Sequence, residues 1–118
     1  MTDPIDSFAS AAAFALTLPG TELGTNYGKP AVKIQANGRS FLATGHEPDS
    51  SFCLSLAPGI TEILLETGPD TFWQSAHYRG SNTVLVRYSS SDTQRVCAMI
   101  EAARAAAAAL KPARPRKA

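Results

Sequence analysis

Gly20, Gly24 and Gly28 stand four residues apart in GTELGTNYGKP, and Lys29 follows the last of them. Glycines leading to a lysine are the raw material of a phosphate loop, in which backbone amides and the ammonium group cradle the phosphates of a nucleotide. Such a loop needs a glycine five residues ahead of its Gly-Lys pair, and then Ser or Thr to hold magnesium. Here Leu23 and Pro30 occupy those two positions. No apolar strand feeds the stretch, and no helix can start at its end. Spacing, metal ligand and context all exclude a phosphate loop.

The remaining chemical candidates are few. His46 and Glu47 stand side by side in a polar turn, where a base and its carboxylate would point to opposite faces of an extended chain. Trp73, His77, Tyr78 and Arg79 form a more promising loop, since aromatic rings and an arginine can stack on bases or frame a ligand pocket. The competing reading of that loop is structural, with Trp73 packing at the core's edge. No GxSxG elbow accompanies the many serines, which argues against a hydrolase. Glu62 and Glu66 lie one helical turn apart and read as a solvated face. Cys53 and Cys97 stand alone, without the CxxC or Cys/His spacing of a zinc site, and read as free thiols. The residues therefore predict a protein that is not an enzyme and holds neither metal nor cofactor.

The elements that would position these residues begin with a helix expected from Pro4 to Thr17, capped by Asp3. Phe8, Ala11, Ala12, Ala15 and Leu18 form its inner stripe, and Pro19-Gly20 ends it. AVKIQA, Asn37-Gly38 and RSFLAT then read as a hairpin with a two-residue type I′ turn. That turn pairs Ile34 with Phe41 and Val32 with Ala43 on the apolar side, leaving Lys33, Gln35, Ser40 and Leu42 on the other. FCLSLA is a third strand with Phe52, Leu54 and Leu56 inward. Pro58 opens a short helix through ITEILLE, stopped by Gly68-Pro69. TFWQ is briefly extended, and TVLVRY is a strand with Val84 and Val86 inward and Leu85 and Arg87 outward. A last helix begins at Ser91 and buries Val96, Met99, Ile100, Ala103, Ala107 and Leu110. The expected order is α-β-β-β-α-β-β-α: a single α+β domain over residues 1–110, its antiparallel sheet covered by helices mainly on one face.

Composition limits the partners. Apolar residues at 44% and charged residues at 18% describe a globular chain, not a disordered one. The N-terminal stretch carries Asp3 and Asp6 where a secretion signal needs cations, and no apolar run is long enough for a membrane, so a cytoplasmic location is expected. Four of the eleven basic residues, Lys111, Arg114, Arg116 and Lys117, fall in KPARPRKA, a tail over 111–118 expected to be disordered. Without them seven basic residues face ten acidic ones, leaving a body of net charge −3. Lys33, Arg39 and Arg87, all expected on or near the helix-free sheet face, are the body's nucleic-acid candidates. Leu42 and Leu85, expected on the same face, would suit a protein partner or a second subunit instead.

LPGTE closing the first helix, YGKPAVKI, the small hairpin, and VLVRY before a terminal helix together resemble the MmcQ/YjbR family of small bacterial α+β proteins. The resemblance covers about residues 5 to 110. It implies a paired-wing arrangement and a DNA-binding role of the kind proposed for the family, and it implies no catalytic residues. It also implies that LPGTE to GKP is the connector from the first helix into the sheet, with Lys29 solvated at a strand entrance. The order of elements is similar as well to secretion-chaperone-like domains, which bind polypeptide. Expected partners are therefore DNA, held weakly and salt-sensitively through Lys33, Arg39, Arg87 and the tail, or a protein docked on the open sheet face.

Overall fold

The computed structural model describes residues 4–45 and 48–112. Among them the chain forms helix α1 (Phe8–Ala15), strands β1 (Thr21–Asn26), β2 (Lys29–Ile34), β3 (Ser40–Thr44) and β4 (Ser51–Ser55), helix α2 (Ile60–Thr67), strands β5 (Phe72–Trp73) and β6 (Thr83–Arg87), and helix α3 (Thr93–Ala108). All these strands join one antiparallel sheet in the order β1-β2-β3-β4-β6-β5. The expected α+β class forms, with one strand more than the sequence reading allowed.

That extra strand is β1, the stretch expected to be a connector. It pairs with β2 along its whole length, from Thr21↔Ile34 to Asn26↔Lys29. Only Tyr27 and Gly28 remain between the strands, with φ of 54° and 79°. Two successive positive φ values are the mark of a type I′ turn, whose twist matches that of the strands it joins. The tight hairpin of this protein is therefore made by Tyr27-Gly28. Pro30 lies within β2 but outside the β2–β3 ladder, which begins at Ala31↔Ala43. Its missing N–H thus removes no ladder bond.

Asn37-Gly38 does not make the expected type I′ turn. Among these two only Gly38 has positive φ, and the loop is wider: Ile34 N–H donates to Arg39 C=O and Gly38 N–H donates back to Ile34 C=O, each at 2.8 Å. The Asn37 side chain is engaged elsewhere. Its Oδ1 accepts from Arg39 N–H at 3.0 Å, and its Nδ2 donates to the carbonyls of Ala107 at 2.8 Å and Leu110 at 3.1 Å. A helix end leaves its last carbonyls short of donors, and although Ala107 C=O also accepts from Leu110 N–H at 3.1 Å, Asn37 closes α3 from across the fold.

The wider loop changes the register. Val32 pairs with Leu42 and Ala31 with Ala43, and a bulge after Val32 brings Lys33 opposite Ser40. A bulge places two successive residues against one partner, so Phe41 and Leu42 both enter the core. The expected pairs Ile34–Phe41 and Val32–Ala43 are therefore corrected. Leu42 belongs to the core, and Ala43 to the helix-free side. Later strands follow the expected faces: Phe52, Leu54, Val84 and Val86 are wholly buried beneath the helices, with Leu85 and Arg87 opposite.

The helices keep their stripes but start late. Asp3 lies outside the described residues, and α1 is capped by Ser7, whose Oγ accepts from Ser10 N–H while Ser10 Oγ accepts from Ser7 N–H. This reciprocal box fixes the start four residues after Pro4. Helix α2 begins at Ile60 behind Gly59, not at Pro58. Helix α3 is capped by Asp92, not Ser91, and adds Cys97 to its buried stripe while Leu110 stays exposed. Helices α1 and α3 both lie on β2, β3 and β4.

Two substitutions check this account. Phe41→Ala removes a wholly buried ring and is expected to cost about 3–5 kcal/mol in urea denaturation. Asn37→Ala strips the end of α3 of two donors and is expected to cost about 1–3 kcal/mol. A loss near zero would show that water serves those carbonyls equally well.

Candidate functional site

The helix-free face carries a row running Ala31, Ala43, Cys53, Leu85 and Trp73 across five strands. Leu85 is wholly buried there, so this face is covered even though no helix among the described residues lies on it. The cover comes from the loop at residues 74–82, which is braced by its own bonds. Gln74 Nε2 donates to the carbonyls of Ser81 at 3.2 Å and Thr83 at 2.8 Å, and Ser81 Oγ donates to Tyr78 C=O at 2.6 Å. The loop thereby sets the Tyr78 hydroxyl 3.5 Å from Cys53 Sγ, a hydrogen bond in which either group can donate. Gly45 makes this possible. A Cβ at that position would stand 2.5 Å from Cys53 Sγ and 2.9 Å from Tyr78 Oη.

Between this loop and the tip of the β1–β2 hairpin lies a concavity of about 500 Å³. Ala43, Gly45 and Cys53 are at its floor, Asn26, Tyr27 and Lys29 on the hairpin side, and His77 and Tyr78 on the loop side. Lys29 Nζ donates to Gly45 C=O at 3.3 Å, which ties the ammonium group to the lining. His77 and Tyr78 meet edge to face, with ring centroids 4.7 Å apart. Tyr27 is 82% exposed, an aromatic ring presented to solvent by the turn that contains it. An apolar floor, one fixed cation and several rings make a cavity of the size and composition that small ligands occupy.

The sequence candidates are distributed unevenly around this cavity. His77 and Tyr78 line it, and Arg79 is exposed beside them. Trp73 does not: its Nε1 donates to buried Ser51 Oγ at 3.0 Å, and the Arg87 guanidinium lies 5.1 Å from its ring centroid. Arg87 also donates to Pro69 C=O at 3.1 Å. Lys33 is on the same face, but three strand spacings and about four residues separate it from Arg87, roughly 20 Å. Arg39 is not on that face, because its Nε donates to Lys111 C=O at 2.7 Å beyond the end of α3. Lys111 itself is exposed, whereas Arg114, Arg116 and Lys117 lie outside the described residues, as do His46 and Glu47. Leu42 and Leu85, expected to leave exposed apolar surface on this face, are both fully buried.

Sequence reasoning did not assign Tyr27, Lys29, Gly45 or Cys53 to a site. Lys29 is exposed as expected, yet it is tied to Gly45 at the end of β3, which only the sheet register brings near. Among the described residues no group of three or more His, Cys, Asp or Glu could hold a metal ion. Nor is any helix among them long and apolar enough to cross a membrane.

No family model matches the sequence, and no curated protein matches it. The fold is similar to the crystal structure of protein DR2400 from Deinococcus radiodurans, a DUF419 domain, with a TM-score of 0.69. The two are 13% identical, over 87% of this chain and 79% of that one. At this identity the likeness is one of fold.

Burial pushes the Cys53 thiol above its ordinary value, against smaller opposing effects from the Tyr78 hydrogen bond and the nearby Lys29 charge. Burial also raises Cys97, with Glu101 adding to it, and carries Tyr88 up to about 12. All three are acids held neutral in the folded chain. Their contribution to stability is whole below the unfolded pKa values and falls as pH rises through them. The urea midpoint is therefore expected to decline above about pH 9. Replacing both cysteines by alanine is expected to delay that decline until tyrosine ionises, near pH 10. An unchanged profile in the double variant would mean that the thiols are as easily ionised folded as unfolded.

Proposed function

We propose that this protein is a non-enzymatic binding protein whose ligand joins an aromatic ring to a negative charge and seats in the concavity between the hairpin tip and the 74–82 loop. Nucleotides and the exposed bases of single-stranded DNA share that chemistry. The observation that carries the reading is that Lys29, bonded to Gly45 C=O, lines one concavity together with Tyr27, His77 and Tyr78. Rings accept bases by stacking, and one cation pairs with one phosphate. The Cys53 thiol, kept protonated by burial, is poorly suited to nucleophilic work, which favours binding over conversion. The resemblance to the MmcQ/YjbR family, for which a DNA-binding role has been proposed, agrees with the reading.

Duplex DNA has less support. Lys33 and Arg87 stand far apart, Arg39 is turned toward the end of α3, and the body without its tail is acidic. A duplex would depend on the tail for phosphate contacts.

Fluorescence anisotropy with labelled oligothymidylate and a labelled duplex, each across a salt series, separates these cases. Lys29→Met is expected to weaken oligothymidylate binding about tenfold and to reduce the salt slope by about one. Adenosine monophosphate is expected to compete if a single nucleotide suffices, and not to compete if a strand is required. A chain ending at Pro112 loses three tail cations, so its slope is expected to flatten by up to about three units while the Lys29 effect persists. Equal binding by the Lys29→Met variant would remove the concavity from consideration.

A further inference from the structure

The two edges of the sheet differ in kind. At one edge β5 is two residues long and presents almost no backbone. At the other β1 is six residues long, TELGTN, with no proline, lysine or arginine to discourage pairing. Natural sheets protect long edges by such means, or with bulges and covering elements. Here Leu23 stands on the edge at 59% exposure. Because Asn26 and Lys29 flank a two-residue turn, Asn26, Gly24 and Glu22 direct their backbone groups to β2. Thr21, Leu23 and Thr25 consequently direct theirs outward.

We infer that β1 is a self-association edge, at which a second copy of this chain pairs antiparallel to form a continuous sheet across a two-fold axis. One register joins all three outward residues of each copy: Leu23 opposite the same residue of its partner, with Thr21 opposite Thr25 on either side. It makes about six backbone hydrogen bonds, whereas a shift of two residues in either direction makes about four. The side chains favour this register too. On the helix side the two exposed leucines bury one another. On the other side Glu22 comes opposite Gly24 of the second copy. Gly24 has no side chain, and the Lys33 stem lies across it, with Cδ 3.2 Å from where a Cβ would stand. The register therefore brings each Glu22 carboxylate to the Lys33 side chain of the other copy, twice over. Two-fold pairing of this kind places both concavities on the same side of the joined sheet.

Sedimentation velocity of the full chain over a concentration series tests the inference. The expected result is a monomer–dimer equilibrium. Leu23→Lys and Glu22→Lys are each expected to raise the dissociation constant at least about tenfold, with the thermal midpoint of the monomer little changed. The double variant Glu22→Lys with Lys33→Glu is expected to return within about threefold of the parent. Hydrogen exchange adds a residue-level signature: the amides of Leu23 and Thr25 are protected at high concentration and released on dilution, while Glu22 and Gly24 stay protected throughout. A chain that remains monomeric up to about 1 mM overturns the inference, as does a dimer indifferent to Leu23→Lys.

Discussion

Val32, Leu42, Leu54 and Val84 form a single row across four strands, and none of them reaches solvent. This row is the surface on which α1 and α3 lie, and it fixes what every other residue of the sheet can do. A strand residue faces one side or the other, so committing this row to the helices commits Ala43, Cys53 and Leu85 to the opposite face. Among the described residues that face receives no helix. Its protection falls to a loop and to a few long side chains, and such cover leaves gaps. The concavity is one of them, bounded where the 74–82 loop ends and the β1–β2 hairpin has not yet begun.

The residues that line the gap come from five strands and a loop, and the sheet's register decides which of them meet. Lys29 reaches Gly45 because β2 and β3 are aligned by the bulge at Val32 and Lys33. Cys53 meets Tyr78 because Gly45 leaves room for both. A one-residue slip in either hairpin would turn Lys29 toward the helices and dissolve the site. Architecture and site are thus specified by the same hydrogen bonds.

Much of the fold was legible in the sequence where periodicity is strong. The inward faces of β4 and β6 and the small-residue stripe of α1 follow from alternation and helical spacing alone. What escaped was β1, because TELGTN alternates nothing: as an edge strand it has little to bury, so the hydrophobic signal of a strand is missing. The turn types were exchanged for a related reason. Asn-Gly is the stronger local signal, but Asn37 has a distant use for its side chain, and Tyr27 accepts positive φ beside Gly28. In the site, His77 and Tyr78 could be read from their company of aromatic and basic neighbours. Lys29 and Cys53 could not, since nothing near either in sequence reveals what the sheet places beside it.

The link from Asn37 to Ala107 spans 70 residues of chain. A bond of that reach cannot form while the hairpin is alone, because its acceptors come within reach of Asn37 only once α3 has docked on the sheet. Its energy is therefore conditional on the docking of α3, and a mutation that removes it tests whether that docking precedes or follows the folding transition state. The 35–39 loop thus joins the start of the sheet to the end of the last helix, closing the two onto one another.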